Sequence, residues 1–182
     1  LNTEKNQINN KNKKNNRNFF SKIIDCEILI DTKEIYSKPW TELINNIYTK
    51  CESENSSIQQ IVLGSQHTLC ISNKGKIYSF GWNNYYQCGT NNIDEEDKKI
   101  ENINEIKINH KIVGISAGED HSLLITENGN VYGFGLNNDG QLCYSYDKHK
   151  IIKKPTLIKS FKNLFMNNIQ CTENISLLND SI

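Results

Sequence analysis

A chain of 182 residues with 36% hydrophobic and 23% charged residues carries enough apolar content for the core of one modest domain. Its 21 basic residues balance 21 acidic ones, which excludes a protein governed by attraction to nucleic acid or to a membrane surface. No run approaches the roughly 18 apolar residues that a membrane span needs, so the composition reads as intracellular, cytoplasmic or nuclear.

The charge balance is uneven along the chain. Residues 1–22 hold Lys5, Lys11, Lys13, Lys14, Arg17 and Lys22 against Glu4 alone, a local net of 6 − 1 = +5. Residues 1–20 are so rich in Asn and Lys, and so poor in apolar residues, that burial cannot offset the entropy of ordering them. They read as a disordered tail, a solvated spacer, with a nucleic-acid or chromatin contact as the alternative. Residues 21–56 follow. Within them CEILIDTKEIYSKPW, residues 26–40, reads as strand, turn and strand, a degenerate blade with its connection.

From residue 57 onward the chain repeats itself. His67 and His121, Gly75 and Gly129, Tyr78 and Tyr132, Gly81 and Gly135, and Gln87 and Gln141 are each 54 residues apart. Between residues 61–89 and 115–143, 12 of 29 positions are identical without a gap, so the segments are copies of one unit. The same step carries Ser122, Leu123 and Leu124 to Ser176, Leu177 and Leu178, where a third copy begins. The repeats span about 61–90, 115–144 and, partially, 169–182.

Each copy reads as a sheet. IVLG and GISAG form a short first strand ending at Gly64 or Gly118, then HTLCIS with KIYSFG, and HSLLIT with NVYGFG, form hairpins. Asn128-Gly129 predicts a two-residue turn in which both residues take positive φ. The Asn-rich NNYYQCG and NNDGQLC lead to a fourth strand. The strands are apolar on both faces, so each sheet is expected to be covered above and below. Small four-stranded sheets that recur and stack are the blades of a β-propeller, an all-β fold.

The pattern G-x-x-H-[ST]-L at Gly64–Leu69 and Gly118–Leu123, then G-x-[IV]-Y-x-F-G at Gly75–Gly81 and Gly129–Gly135, then N-N-x-x-Q, resembles the repeat of the regulator of chromosome condensation family. Pro155 with Leu157 resembles that family's connection between blades. The resemblance implies a seven-bladed propeller, of which this chain would be a fragment, since adding 54 to Gly129 gives 183, one residue past Ile182. Its incomplete array would expose strand edges and associate. The third copy departs from the pattern, with Ile175 in place of His and Thr172 in place of Gly. In the second copy Cys143 replaces a glycine, and Tyr86 stands where the second copy has Gly140.

Chemistry is sparse. A catalytic site needs one histidine in one place, whereas His67 and His121 recur once per blade, so both read as buried structural residues bonded to backbone. Cys70, Cys88 and Cys171 stand where other copies have Leu124, Leu142 and Ala117, and read as packing residues in a reducing compartment rather than as zinc ligands or disulfides. No catalytic residue, metal ligand or cofactor site is assigned. The acidic run Asp94, Glu95, Glu96 and Asp97 reads as a loop between blades that is able to meet a partner. The resemblance implies protein partners, among them a small GTPase. It points first to an interaction scaffold and second to a guanine-nucleotide exchange factor for a Ran-like GTPase.

Overall fold

The structure, a computed structural model, describes residues 27–29, 38–91, 99–145, 149–161, 166–171 and 176–180. The elements in chain order are β1 (Glu27–Leu29), α1 (Lys38–Ser53), β2 (Ile58–Leu63), β3 (His67–Ser72), β4 (Ile77–Trp82) and β5 (Lys99–Ile106). There follow β6 (Ile112–Ala117), β7 (His121–Thr126), β8 (Val131–Leu136), β9 (Ile151–Leu157), a short 3-10 turn (Lys159–Phe161), β10 (Met166–Cys171) and β11 (Ser176–Asp180). The tail lies outside the described residues.

The repeat folds as two antiparallel four-stranded blades and the first two strands of a third. Blade 1 is β2-β3-β4-β5, with β1 added in parallel to β2. Blade 2 is β6-β7-β8-β9, and β10 pairs with β11. The register repeats as faithfully as the sequence. His67 lies opposite Gly81 and Cys70 opposite Tyr78 in blade 1, and His121 lies opposite Gly135 and Leu124 opposite Tyr132 in blade 2.

Strands β3 and β7 are buried at all six positions, as expected of sheets covered on both faces. Alternation assigns the two faces of β3. Leu69 and Ile71 join the large core that blade 1 shares with Ile115, Leu124 and Phe134 of blade 2, and Met166 and Ile169 of β10 extend that core. Cys70 points the other way, into a second core.

That second core corrects the reading of residues 26–40. Lys38, Pro39 and Trp40 open a helix instead of ending a hairpin, and residues 30–37 lie outside the described residues. The helix carries Ile44, Ile47 and Cys51 at spacings of three and four, which places them on one stripe, and all three are fully buried against Ile61, Cys70, Tyr78 and Phe80. Glu42, Asn45, Asn46, Thr49, Glu52 and Ser53 face solvent. The first strand of that reading stands as β1, and helical spacing replaces the second.

The hairpin turn also differs from expectation. In blade 1 the Gly75 N–H donates to the Ser72 carbonyl at 2.8 Å and the Ser72 N–H to the Lys76 carbonyl at 2.9 Å. Gly75 takes φ +77° and Gly129 +73°, while Lys74 and Asn128 are absent from the residues with positive φ. One glycine in the left-handed region after an ordinary turn closes the loop, with the Ser72 and Thr126 hydroxyls accepting from the N–H groups of Lys76 and Asn130. A two-residue mirror-image turn would need both residues there.

Two connections move as well. The acidic run Asp94–Asp97 lies outside the described residues, but β4 and β5 on either side of it pair in one sheet. It therefore joins strands within blade 1 rather than joining two blades. Pro155 lies in β9, the outer strand of blade 2, where the ladder skips between Gly133 and Gly135. An edge strand at a bulge tolerates a residue with no N–H to donate.

Candidate interaction surface

The frame is a seam of hydrogen bonds that steps from blade to blade. His67 Nε2 lies 2.9 Å from the Ser122 hydroxyl, and His121 Nε2 lies 3.0 Å from that of Ser176. Ser122 gives its single hydroxyl proton to the Gln87 carbonyl at 2.8 Å, so His67 is the donor and carries its proton on Nε2. The expectation of a buried structural histidine holds in burial, at 3% exposure for His67 and 0% for His121. To the backbone contact of His67 with Glu119 the structure adds a partner on the following blade, a serine hydroxyl at each Nε2.

Burial lowers the His67 pKa to about 3, with the neighbouring His121 adding to the effect, and burial lowers that of His121 to about 4. Both rings are neutral at physiological pH. Neutral, buried rings held at fixed partners suit a seam and not general acid–base work. Gly64 explains itself here. A methyl group on it would run into the His67 ring and the Gly118 carbonyl, so the first position of the motif must be bare. Gly81 and Gly135, at φ +105° and +106°, likewise bring the backbone close to the Gln66 and Asp120 carbonyls.

At the end of each blade that carries these glycines, an asparagine organises the turn. Asn83 is fully buried. Its Oδ1 accepts from the Cys88 N–H at 2.9 Å and its Nδ2 donates to the Thr90 carbonyl. Asn137 does the same with the Leu142 N–H and the Tyr144 and His149 carbonyls. Neither was singled out from sequence, although both stand in the N-N-x-x-Q motif. Gln87 accepts from the Tyr85 N–H and donates to Asp120 of blade 2 at 2.8 Å, tying the turn to its neighbour. Gln141 copies the first bond with the Asp139 N–H. The Asp120 carboxyl sits above its ordinary pKa because of burial, with Glu119 contributing.

The remaining predicted positions are scaffold. Tyr78 is fully buried beneath α1, and Tyr132 is partly buried, 5.9 Å between centroids from His110. Cys51, Cys70 and Cys88 are buried outside any disulfide, Cys171 is half-buried and Cys143 is exposed; Cys26 lies outside the described residues. Burial pushes the Cys88 thiol up to about 12, so it stays protonated. Among the described residues no three or more His, Cys, Asp or Glu side chains group to hold a metal ion.

What the seam presents to solvent is a row of side chains at the turn end. Trp82 ends β4 and is 39% exposed, Tyr85 in the turn is 37% exposed, and Ile151 opens β9 at 38%, opposite Leu136. Leu136 is the blade 2 counterpart of Trp82. The Lys153 ammonium lies 5.1 Å from the centre of the Tyr86 ring, so the turn of blade 1 and the outer strand of blade 2 meet. Large apolar side chains on backbone pinned at both ends form a surface suited to protein contacts. Among the described residues no helix is long and apolar enough to cross a membrane.

Profiles of the Regulator of chromosome condensation (RCC1) repeat match residues 58–87 and 112–141 in one form, and 74–125 and 128–178 in another. The chain is 37% identical over 88 residues to the ultraviolet-B receptor UVR8 of Arabidopsis thaliana, covering 48% of this chain and 20% of the receptor. It is 29% identical over 107 residues to the human RCC1-like G exchanging factor-like protein, covering 57% of this chain and 22% of that one. The matched segment thus spans about a fifth of the length of these relatives. The crystal structure of Prp20p from Saccharomyces cerevisiae, a protein with binding properties to Gsp1p and histones, superposes with a TM-score of 0.61 at 22% identity, over 69% of this chain and 31% of that one.

Proposed function

Because the chain belongs to the regulator of chromosome condensation repeat family, we propose that it serves as a protein-interaction scaffold whose contact surface is the turn end of the blades. The observation that carries this reading is the exposure of Trp82, Tyr85 and Ile151 on a backbone held by Asn83, Gln87 and the histidine seam. Aromatic anchors on rigid turns bind at low entropic cost. Asp94–Asp97 joins two strands that both end on this surface, and we assign that run to its rim. Rim charges act on association rate and salt dependence.

The test pairs binding with stability. Trp82→Ala and Tyr85→Ala should abolish recovery of a partner protein while leaving the melting temperature within about 2 °C, whereas Val113→Ala, on the inner strand of blade 2, should leave binding intact. Partner recovery unchanged by both aromatic substitutions would overturn the assignment.

Similarity to the RCC1-like G exchanging factor-like protein favours a second reading, guanine-nucleotide exchange on a small GTPase. Exchange requires a surface that binds the nucleotide-free GTPase better than the loaded one, and no acid or base. Several blades must grip the GTPase together, so this 182-residue chain is expected not to accelerate release of labelled GDP. A hundredfold stimulation would place exchange ahead of scaffolding.

A further inference from the structure

Tyr86 is more than the frame requires. It takes φ +66°, in the left-handed region that a bulky side chain avoids, whereas Gly140 stands at the same turn position of blade 2, at φ +76° with open space around it. Glycine serves this turn, so the tyrosine is kept at a cost in backbone strain. Strain of this kind persists where the side chain is needed for contact. The ring is half-buried, and the Lys153 ammonium lies 5.1 Å from its centre.

Lys153 is equally particular to its blade. The ladder of β8 and β9 skips between Gly133 and Gly135, so Lys153, Lys154 and Pro155 all stand opposite the single residue Phe134. The bulge leaves both lysines exposed. Lys99 pairs with Trp82 as Ile151 pairs with Leu136, which puts Glu101 at the register position in blade 1 that Lys153 holds in blade 2. The sign of charge is reversed between blades, and the fold does not dictate it. Lys150, whose carbonyl accepts from the Asn137 N–H at 2.8 Å, adds a third exposed cation. Among the described residues none of these three lysines forms an ion pair.

Resting on the reading of the turn end as a protein-contact surface, we propose that Tyr86 and Lys153, with Lys150, Lys154, Tyr85 and Ile151 about them, form a site for an acidic peptide segment of a partner protein. Its carboxylates meet the lysines, and an apolar side chain meets Tyr85 and Ile151. Lys153 is already positioned by the Tyr86 ring and keeps N–H donors for a carboxylate, so little freedom is lost when the segment docks. Glu119 and Asp139 are exposed in loops of the same end. A peptide can place a few carboxylates on the lysines and avoid both acids, whereas the evenly charged backbone of a nucleic acid meets them too.

The experiment selects a displayed library of random peptides on the full 182-residue chain and measures the best sequence, as a fluorescent synthetic peptide, by anisotropy. Selected sequences should be enriched roughly threefold in Asp and Glu, and the dissociation constant should rise about tenfold with Lys153→Glu and increase with added salt. Tyr86→Gly should weaken the peptide about tenfold without lowering the melting temperature, because it relieves strain while removing a contact; a tyrosine that only supported the fold would show the opposite. Selection without acidic enrichment, or binding indifferent to Lys153→Glu, overturns the proposal. So does an oligothymidylate that binds more tightly than any selected peptide, which would make the site one for nucleic acid. The scaffold reading survives these failures if a partner protein is still lost with Trp82→Ala and Tyr85→Ala, and falls with the proposal only if those substitutions also change nothing.

Discussion

Gly89 and Cys143 hold the same turn position in consecutive blades, and both are in the left-handed region, at φ +69° and +54°. Only one of them is suited to it. A side chain there costs about 1–2 kcal/mol, partly offset by the looser unfolded chain that glycine gives. Cys143→Gly should therefore stabilise the protein by about 0.5 kcal/mol, read as a melting temperature higher by about 1–2 °C. The reverse change is harsher. A Cβ on Gly89 would lie 3.0 Å from both Phe134 and Ile106, so Gly89→Ala should destabilise by about 2 kcal/mol.

Two other glycines separate crowding from backbone strain. Gly64→Ala drives a methyl group into the His67 ring and the Gly118 carbonyl, and should cost about 3 kcal/mol or unfold the chain. Gly140, at φ +76°, has open space around its Cβ direction, so Gly140→Ala should cost only about 1 kcal/mol. Equal losses in denaturant unfolding would show that the histidine ring is not seated against Gly64.

The seam makes stability fall in acid. Both histidines have folded pKa values below the ordinary 6.5, about 3 for His67 and about 4 for His121, so the unfolded chain takes up protons first as pH drops. Stability is full above pH 6.5 and declines through the window from 6.5 toward 4, by about 2 kcal/mol per histidine at pH 5. Unfolding titrated from pH 8 to pH 5 should show this loss, and His121→Gln should remove roughly half of it. A pH-independent midpoint for the parent chain would refute the neutral, buried assignment.

Ser122 tests the hydroxyl itself. Ser122→Ala leaves the His67 N–H without its acceptor and the Gln87 carbonyl without its donor, both buried, for a loss of about 2–4 kcal/mol. Ser122→Thr keeps the hydroxyl, and threonine already stands at the equivalent Thr68, so it should cost less than about 1 kcal/mol.

Thiol reactivity should follow burial. Cys143 is exposed and should react first, while Cys88, held protonated at a pKa of about 12, should react only as the blades open. Mass spectrometry of brief labelling orders the sites, and early modification of Cys88 would contradict its place in the turn.

Much of this was legible because the chain states it twice. The 54-residue step fixed strand boundaries, the covered faces and the structural role of His67 and His121, since a residue needed once per blade is a residue of the frame. The partner of each histidine was not legible, because Ser122 and Ser176 are one blade further on and contact is a property of stacking. The fourth strands β5 and β9 begin at Lys99 and Ile151, well separated from the turns at Gly89 and Cys143, and β9 contains Pro155, which is a poor strand signal. Helix α1 was missed although Ile44, Ile47 and Cys51 carry its period. Among the described residues it has no second copy, so repetition offers nothing to set beside it.

Each seam bond joins a residue to one 55 positions ahead, His67 to Ser122 and His121 to Ser176. Partner choice is thereby written as an offset and not as two particular sites. Misaligned recombination between copies, which adds or removes 54 residues as a block, leaves every remaining histidine facing a serine or threonine at the same offset. A loss of any other length would set it against the wrong neighbour. Descendants of such a gene can therefore vary in blade number while their seams stay closed, and heritable change in length is channelled into whole units.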